Sequence, residues 1–257
     1  MAPNHRKYDE RKNIGVKMFK KYFYSRETLE LMADEINRKY YPERLDSVLP
    51  LDPYDLLEKQ GLDVEWKYIS PNEQLLGLIF FADEKFPVWD KGTFQKGDEP
   101  HYELFKKGTI VINNILVEKK KYKKKEIFVC THENCHWIKD QEYFKDHPES
   151  IIQICDSKSL EKTYWNSKMS DRDIIERQNN YLCAAVIMPR DVIKKAFFKS
   201  MRYKNIPEEP IEFKPFMKKH IAMLANMYGI NYNPVLYRLY DLNILARPDK
   251  EGNNMEL

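Results

Sequence analysis

Ile127-Phe128-Val129-Cys130-Thr131-His132-Glu133-Asn134-Cys135-His136 is the stretch on which the reading of this chain turns. Ile127, Phe128, Thr131, Cys135 and Ile138 recur every three or four residues, so the spacing predicts a helix. On a helix, residues four apart stand one turn above each other, and His132 and His136 then face a single point. Two imidazoles so placed match two positions of a tetrahedral zinc ion. Glu133 lies beside them, where it reaches a water rather than the metal. Zinc lowers the pKa of bound water to about 7, and a carboxylate can then take its proton.

Two histidines leave a catalytic zinc site incomplete. The metzincin solution requires Gly three residues beyond the second His and His six beyond it; Lys139 and Glu142 stand there, which excludes it. The other solution is a Glu from a following helix. Ser170-Asp171-Arg172-Asp173 reads as a cap with acids in the first turn, leading into an apolar helix, Ile174–Met188, that stops at Pro189. Glu176 lies one turn into it and fits as third ligand. Four residues on, Asn180 shares its face, and its amide oxygen is a candidate acceptor for the outer N–H of a ligating histidine. Asp140, His147, Asp156 and Glu161 compete for the third position. Asp140 is the strongest of these, one further turn along the His132/His136 face.

Further from the motif, the pattern before it is mixed. Helices are expected over Leu29–Tyr40, stopped by Pro42, and over Tyr54–Gln60, between an Asp52-Pro53 start and Gly61. Strands are expected at Leu62–Trp66, Leu75–Phe81 and Thr109–Ile112. The stretch from Asp83 to Lys107 is too polar and too long for a hairpin turn, and reads as a functional loop or an insertion. Asp140–Met169 reads as a second irregular stretch. Beyond Pro189, helices are expected over Asp191–Met201, Lys214–Tyr228 and Asn233–Leu242. Lys119–Lys125, six Lys and a Tyr, reads as a solvated start to the motif helix.

The chain has 257 residues, 42% of them apolar, with a net charge of +3, which excludes a disordered or histone-like chain. Its longest apolar run, Leu75–Ala82, falls well short of the ~20 residues that cross a bilayer. The charged start lacks an apolar core of the signal-peptide kind, and the four Cys form no CxxC pair, so free thiols in the cytoplasm are expected. Ile221–Leu245 has helix–turn–helix periodicity but no Lys, so direct nucleic-acid binding is not expected of it. Tyr164, His147 and Tyr181 are the candidates for polarising a substrate carbonyl.

Ile127–His136 resembles the active-site helix of the ImmA/IrrE metallo-endopeptidases. Glu176–Pro189 resembles that family's second helix: a Glu, an Asn four residues on, a small-residue patch, two aliphatics and Met-Pro. Asp52–Gly61 with the strand after it is similar to the family's lead-in helix. Ile221–Leu245, with Leu224-Ala225, Tyr228-Gly229-Ile230 and Arg238-Leu239, is similar to its C-terminal helical segment. The likeness runs from Leu51 to Leu245 with two gaps. It implies an α+β, zincin-like fold: a small mixed sheet packed on an active-site helix and a second ligand-bearing helix, with a helical C-terminal segment. It implies one Zn2+ per chain on His132, His136 and Glu176, with Glu133 as general base. It implies cytoplasmic cleavage of a regulatory protein, typically a helix-turn-helix repressor of a mobile element or stress regulon.

Two positions depart from the family pattern: Cys135 stands where it has Gly, and Asn179 where it has Ala. The organisation expected is a flexible basic N-terminus over 1–24 and a metallopeptidase domain over 25–201 with insertions at 83–107 and 140–169. A helix-turn-helix-like segment over 202–257 follows. Cys135 and the insertions motivate a rival: a non-proteolytic regulator that keeps the fold and binds a repressor or toxin stoichiometrically.

Overall fold

Ser25 starts the first helix, α1 (Arg26–Tyr40), by accepting the Thr28 N–H, and a 3-10 turn led by Pro42 ends it. Asp52 caps α2 (Pro53–Gln60), which has Pro at its first position and closes at Gly61 with φ of 68°. These are the residues the sequence offered for those roles. The computed structural model describes residues 22–70, 75–92, 98–148, 152–156 and 170–247, and its architecture is mixed α+β. Most of the expected basic N-terminus, 1–21, lies outside the described residues. Tyr24, at its end, is docked through a 3.4 Å backbone bond to Gln178 Oε1.

Among the described residues six strands follow in chain order: β1 (Asp63–Lys67), β2 (Leu75–Phe80), β3 (Glu84–Val88), β4 (His101–Phe105), β5 (Thr109–Asn113) and β6 (Ile152–Asp156). Four form one sheet in the order β1-β5-β2-β6, with β1 parallel to β5 and the other pairs antiparallel. The sheet is therefore mixed, as expected. Alternation along the strands divides its two faces. Ile79, Ile110 and Ile112 pack with Val129 and Cys130 of α4 (Lys123–Lys139), preceded by the short α3 (Asn114–Glu118). Leu78, Phe80 and Val111 point the other way, against Val88 and Phe105.

Those last two residues correct the first expected loop. The 83–107 stretch carries a two-stranded ribbon, β3 with β4, which covers the second face of the sheet. Pro87 lies within β3, where a two-stranded ribbon leaves one side of each strand without a ladder partner. The 140–169 stretch is likewise not wholly irregular. It contributes α5 (Gln141–Asp146) and β6, which is an edge strand of the main sheet.

Four more helices follow among the described residues: α6 (Asp171–Ile187), α7 (Arg190–Ser200), α8 (Met217–Tyr228) and α9 (Tyr232–Asp241). A capping box between Ser170 and Asp173 starts α6. Its other end is held by buried cations. Arg44 donates to the Val186 and Ile187 carbonyls at 3.0 and 2.6 Å, and Arg238 Nε donates to the Met188 carbonyl at 3.2 Å. Arg238 is itself paired with Glu30 of α1 at 2.5 and 2.9 Å. Three carbonyls that the helix end leaves without an intrahelical partner are thus bonded, and α6 is fixed against α1 and α9. Helices α8 and α9 turn at Gly229, φ 71°, and share one apolar core with α1 and α6. No helix among the described residues is long and apolar enough to cross a membrane.

Candidate metal centre

Helix α4 is wedged between the sheet and α6, and both its neighbours shape the site. On the sheet side, Gly77 of β2 lets α4 approach closely: a Cβ there would lie 2.7 Å from Val129 Cγ1 and 3.0 Å from Glu133 Oε1. On the α6 side, Asn179 Nδ2 donates to the His132 carbonyl at 2.7 Å. At one side Gln60 of α2 and Asn134 exchange two amide hydrogen bonds of 3.2 and 3.1 Å. The helix that carries the two histidines is therefore held from three directions.

The structure brings His132, His136 and Glu176 together. The two Nε2 atoms are 3.0 Å apart, and the Glu176 carboxylate oxygens lie 3.3 Å from His132 Nε2 and 3.4 Å from His136 Nε2. All three side chains are buried. A tetrahedral ion with arms of about 2.0–2.1 Å, as zinc makes to nitrogen and oxygen, separates its donors by about 3.3 Å. The two imidazoles and the Glu176 carboxylate, which meets each of them with a different oxygen, come near that separation, and these residues could hold a metal ion. A second group, His132, Glu133 and Cys155, has donor atoms within 4.8 Å of one another.

Charge balance makes the same point. Glu133, Glu176 and Asp140 are buried together with one ammonium, Lys139. Three carboxylates against one cation leave two negative charges in a region of low dielectric, which a divalent cation neutralises. Without one, protons carry the load. Burial alone would lower His136, but Glu176 and Asp140 overrule it and push its pKa up to about 9. Burial alone would raise the Glu176 carboxyl, but the two imidazoles hold it far below the carboxylate range. His132 is lowered, chiefly by burial.

Glu133 is fully buried, and neither carboxylate oxygen meets a hydrogen-bond partner of normal geometry among the described residues. Burial pushes its pKa up to about 8; the Glu176 charge adds to the rise, while His136 and a loose contact with the Cys155 thiol oppose it. Burial is the largest influence, so this carboxyl group holds a proton more tightly than an exposed glutamate does.

The support for the ligands differs in part from expectation. Asp140 lies outside both donor groups: its Oδ2 accepts from His136 Nδ1 at 2.7 Å. Its other oxygen pairs with Lys139. This is the orienting bond sought in Asn180, and it comes from one turn further along α4. His132 Nδ1 has no hydrogen-bond partner among the described residues, so Asn180 does not supply that bond either. His147 bonds the Tyr143 carbonyl at 2.9 Å, and the Tyr181 hydroxyl donates to Glu30 at 2.6 Å. Neither is engaged with the donor cluster. Glu161, Tyr164 and the side chain of Asp156 lie outside the described residues. The Lys run surrounds the Tyr122 ring at the start of α4, and Lys124 donates to Asn226 of α8 at 2.7 Å.

The chain matches no family model and no curated protein sequence.

Proposed function

We propose that this chain is a zincin-like, metal-dependent endopeptidase. His132, His136 and Glu176 hold one divalent ion, and Glu133 is the general base. The observation that carries the reading is the convergence of the two Nε2 atoms, 3.0 Å apart, and the Glu176 carboxylate, which meets them through different oxygens at 3.3 and 3.4 Å, beside the fully buried Glu133. Zinc suits the donor set of two imidazoles and a carboxylate, and when bound it supplies the Lewis acidity that lets water attack a peptide carbonyl at neutral pH.

The chain's own residues do the rest. Asp140 accepts the Nδ1 proton of His136, which fixes the tautomer and leaves the Nε2 lone pair facing the donor cluster. Asn179 donates to the His132 carbonyl and so ties the turn that carries both imidazoles to α6. Glu133 takes a proton from the attacking water and delivers it to the departing amine, the two duties of one carboxylate in peptide hydrolysis. Its burial raises its basicity, which suits the first duty.

The resemblance to the ImmA/IrrE metallo-endopeptidases supports a regulatory protein as substrate, with a helix-turn-helix repressor as the class to test first. Incubation with a repressor encoded near this chain's own gene should give fragments. Glu133→Gln should bind metal as wild type does and lose cleavage by about 10²–10⁴-fold. Cleavage undiminished in Glu133→Gln would remove the general-base assignment. A repressor bound without fragments by both forms would favour a stoichiometric regulator.

A further inference from the structure

Helix α8 buries one face: Met217, Ile221, Leu224 and Tyr228 lie in the core it shares with α1, α6 and α9. A second apolar row runs beside that face. Phe216 holds helical backbone angles just ahead of α8, and His220, Met223 and Met227 follow it at steps of four, three and four residues. At about 3.6 residues per turn these four stay within about 60° of one another, along about 17 Å of helix. Phe216, Met223 and Met227 are 49%, 42% and 44% exposed, so the row faces outward. The His220 ring meets the Phe216 ring edge-on, with centroids 6.3 Å apart, and belongs to the row. Partial burial, and after it the Lys219 charge, lower the His220 pKa, so the imidazole is neutral at neutral pH.

Alternating steps of four and three are the spacing of a helix–helix seam. The two borders of this seam differ. On one side Met217 and Leu224 lead into the core. On the other stand Lys219 and Asn226, the positions that flank a seam and select a partner by charge. Lys124 of α4 donates to Asn226 Oδ1 at 2.7 Å, which brings its ammonium to the same border. No Asp or Glu occurs between Phe213 and Tyr240. The open border of the seam is therefore cationic.

We infer that this row is a docking surface for an acidic amphipathic helix of a partner protein. The partner's apolar residues lie along Phe216, His220, Met223 and Met227, and its Asp or Glu side chains lie opposite Lys219 and Lys124. Methionine suits such a surface, because an unbranched thioether adapts to varied side chains. A helix that lies on a membrane shows a broader apolar face than one row of this width. The surface goes beyond the metal-centre reading and does not rest on it, since both donor groups lie outside α8.

The probe is a fluorescent synthetic helix of about three heptads, with Leu at the seam positions and Glu at the flanking ones, which also keeps it from pairing with itself. A twin peptide carries Lys in place of Glu. Anisotropy titrations with the full chain compare wild type, the double variant Met223→Ser/Met227→Ser, and Lys219→Glu. Wild type should bind the Glu peptide saturably, and the double variant should weaken binding at least about tenfold. Lys219→Glu should weaken it too, by a factor that shrinks in high salt. All three positions are exposed, so circular dichroism of the variants should match wild type. A wild-type chain that does not bind the Glu peptide, or a double variant that binds it equally well, would overturn the docking surface. Equal binding of the Lys twin would overturn the acidic partner. Wild type that binds phosphatidylserine vesicles and not the peptide would overturn it in favour of a membrane surface. A wild-type dimer in sedimentation that becomes a monomer in the double variant would overturn it in favour of a second copy of this chain.

Discussion

Gly77→Ala tests the contact that presses Glu133 against the sheet. The added Cβ would lie 2.7 Å from Val129 Cγ1, 3.0 Å from Glu133 Oε1 and 3.2 Å from Glu133 Cγ. Carbon–carbon contacts settle at about 3.5–4.0 Å, so the first is short by about 1 Å. Val129 and Glu133 are both fully buried on α4, and neither is the loose end of a flexible surface chain. The helix must therefore lift from the sheet, at an overpacking cost of about 1–3 kcal/mol. In an open strand the same substitution would stabilise, by about 0.5–1 kcal/mol, because glycine loses more freedom on folding. The sign of the effect thus decides the matter. For a chain of this length the expected fall in Tm is about 2–4 °C for each kcal/mol. Thermal and urea unfolding of wild type, Gly77→Ala, Val129→Ala and the double variant would measure it. Val129→Ala removes the atom that clashes first, so the double variant should be more stable than the two single losses predict, a favourable coupling of about 0.5–3 kcal/mol. Cleavage should fall in Gly77→Ala, since Glu133 is displaced, while metal uptake persists because the atoms nearest the new Cβ belong to Val129 and Glu133 and not to a ligand. A Gly77→Ala protein as stable as wild type, or more so, would refute the packing on which the position of Glu133 depends.

Two other predictions test the supports of the site. Asp140→Asn removes the carboxylate that orients His136, and zinc affinity measured by chelator competition should fall about 10–100-fold; unchanged affinity would show that this bond does not matter. Glu30→Gln leaves the buried Arg238 charge uncompensated and should cost about 3–5 kcal/mol at neutral pH. Burial alone would raise the Glu30 carboxyl, but Arg238 overrules it and holds it below its ordinary value. A folded value below the unfolded one of about 4.3 means the pair stabilises fully above that pH and loses its contribution as pH falls through the lower folded value. The stability gap between wild type and Glu30→Gln should therefore narrow in acid, and a gap that widens there would contradict the assignment.

The parts of this molecule that were legible in its sequence are the local ones. His132 and His136 meet because residues four apart on a helix always do, and Asp52-Pro53 with Gly61 marks a helix by its ends alone. Ser170 and Asp173 did the same for α6, and the helix they start brings Glu176 to the histidines. The strands β1, β2 and β5 were visible as apolar or alternating runs. What was not legible depends on packing at a distance. The β3–β4 ribbon was hidden by Pro87 and by the large side chains it turns to solvent, Tyr102 at 66% and Leu104 at 55% exposure, which blur the alternation of a half-buried strand. Strand β6 is as long as β1 and β5, and what its sequence did not show was its pairing with β2. Asp140 shares the face of His132 and His136, and spacing places it there; spacing does not say which imidazole nitrogen it meets. That depends on the ring's rotation, which the structure shows through the 2.7 Å bond to Nδ1.

The central claim is that His132, His136 and Glu176 hold one divalent ion. Elemental analysis of the purified chain after zinc reconstitution and removal of loose metal, wild type beside Glu176→Ala, tests it most directly, with circular dichroism confirming that both are folded. The account predicts about one zinc per wild-type chain, as a three-ligand site holds, and its loss in the folded variant. A wild-type chain that takes up no metal, or a variant that keeps a full equivalent with unchanged affinity, would contradict it.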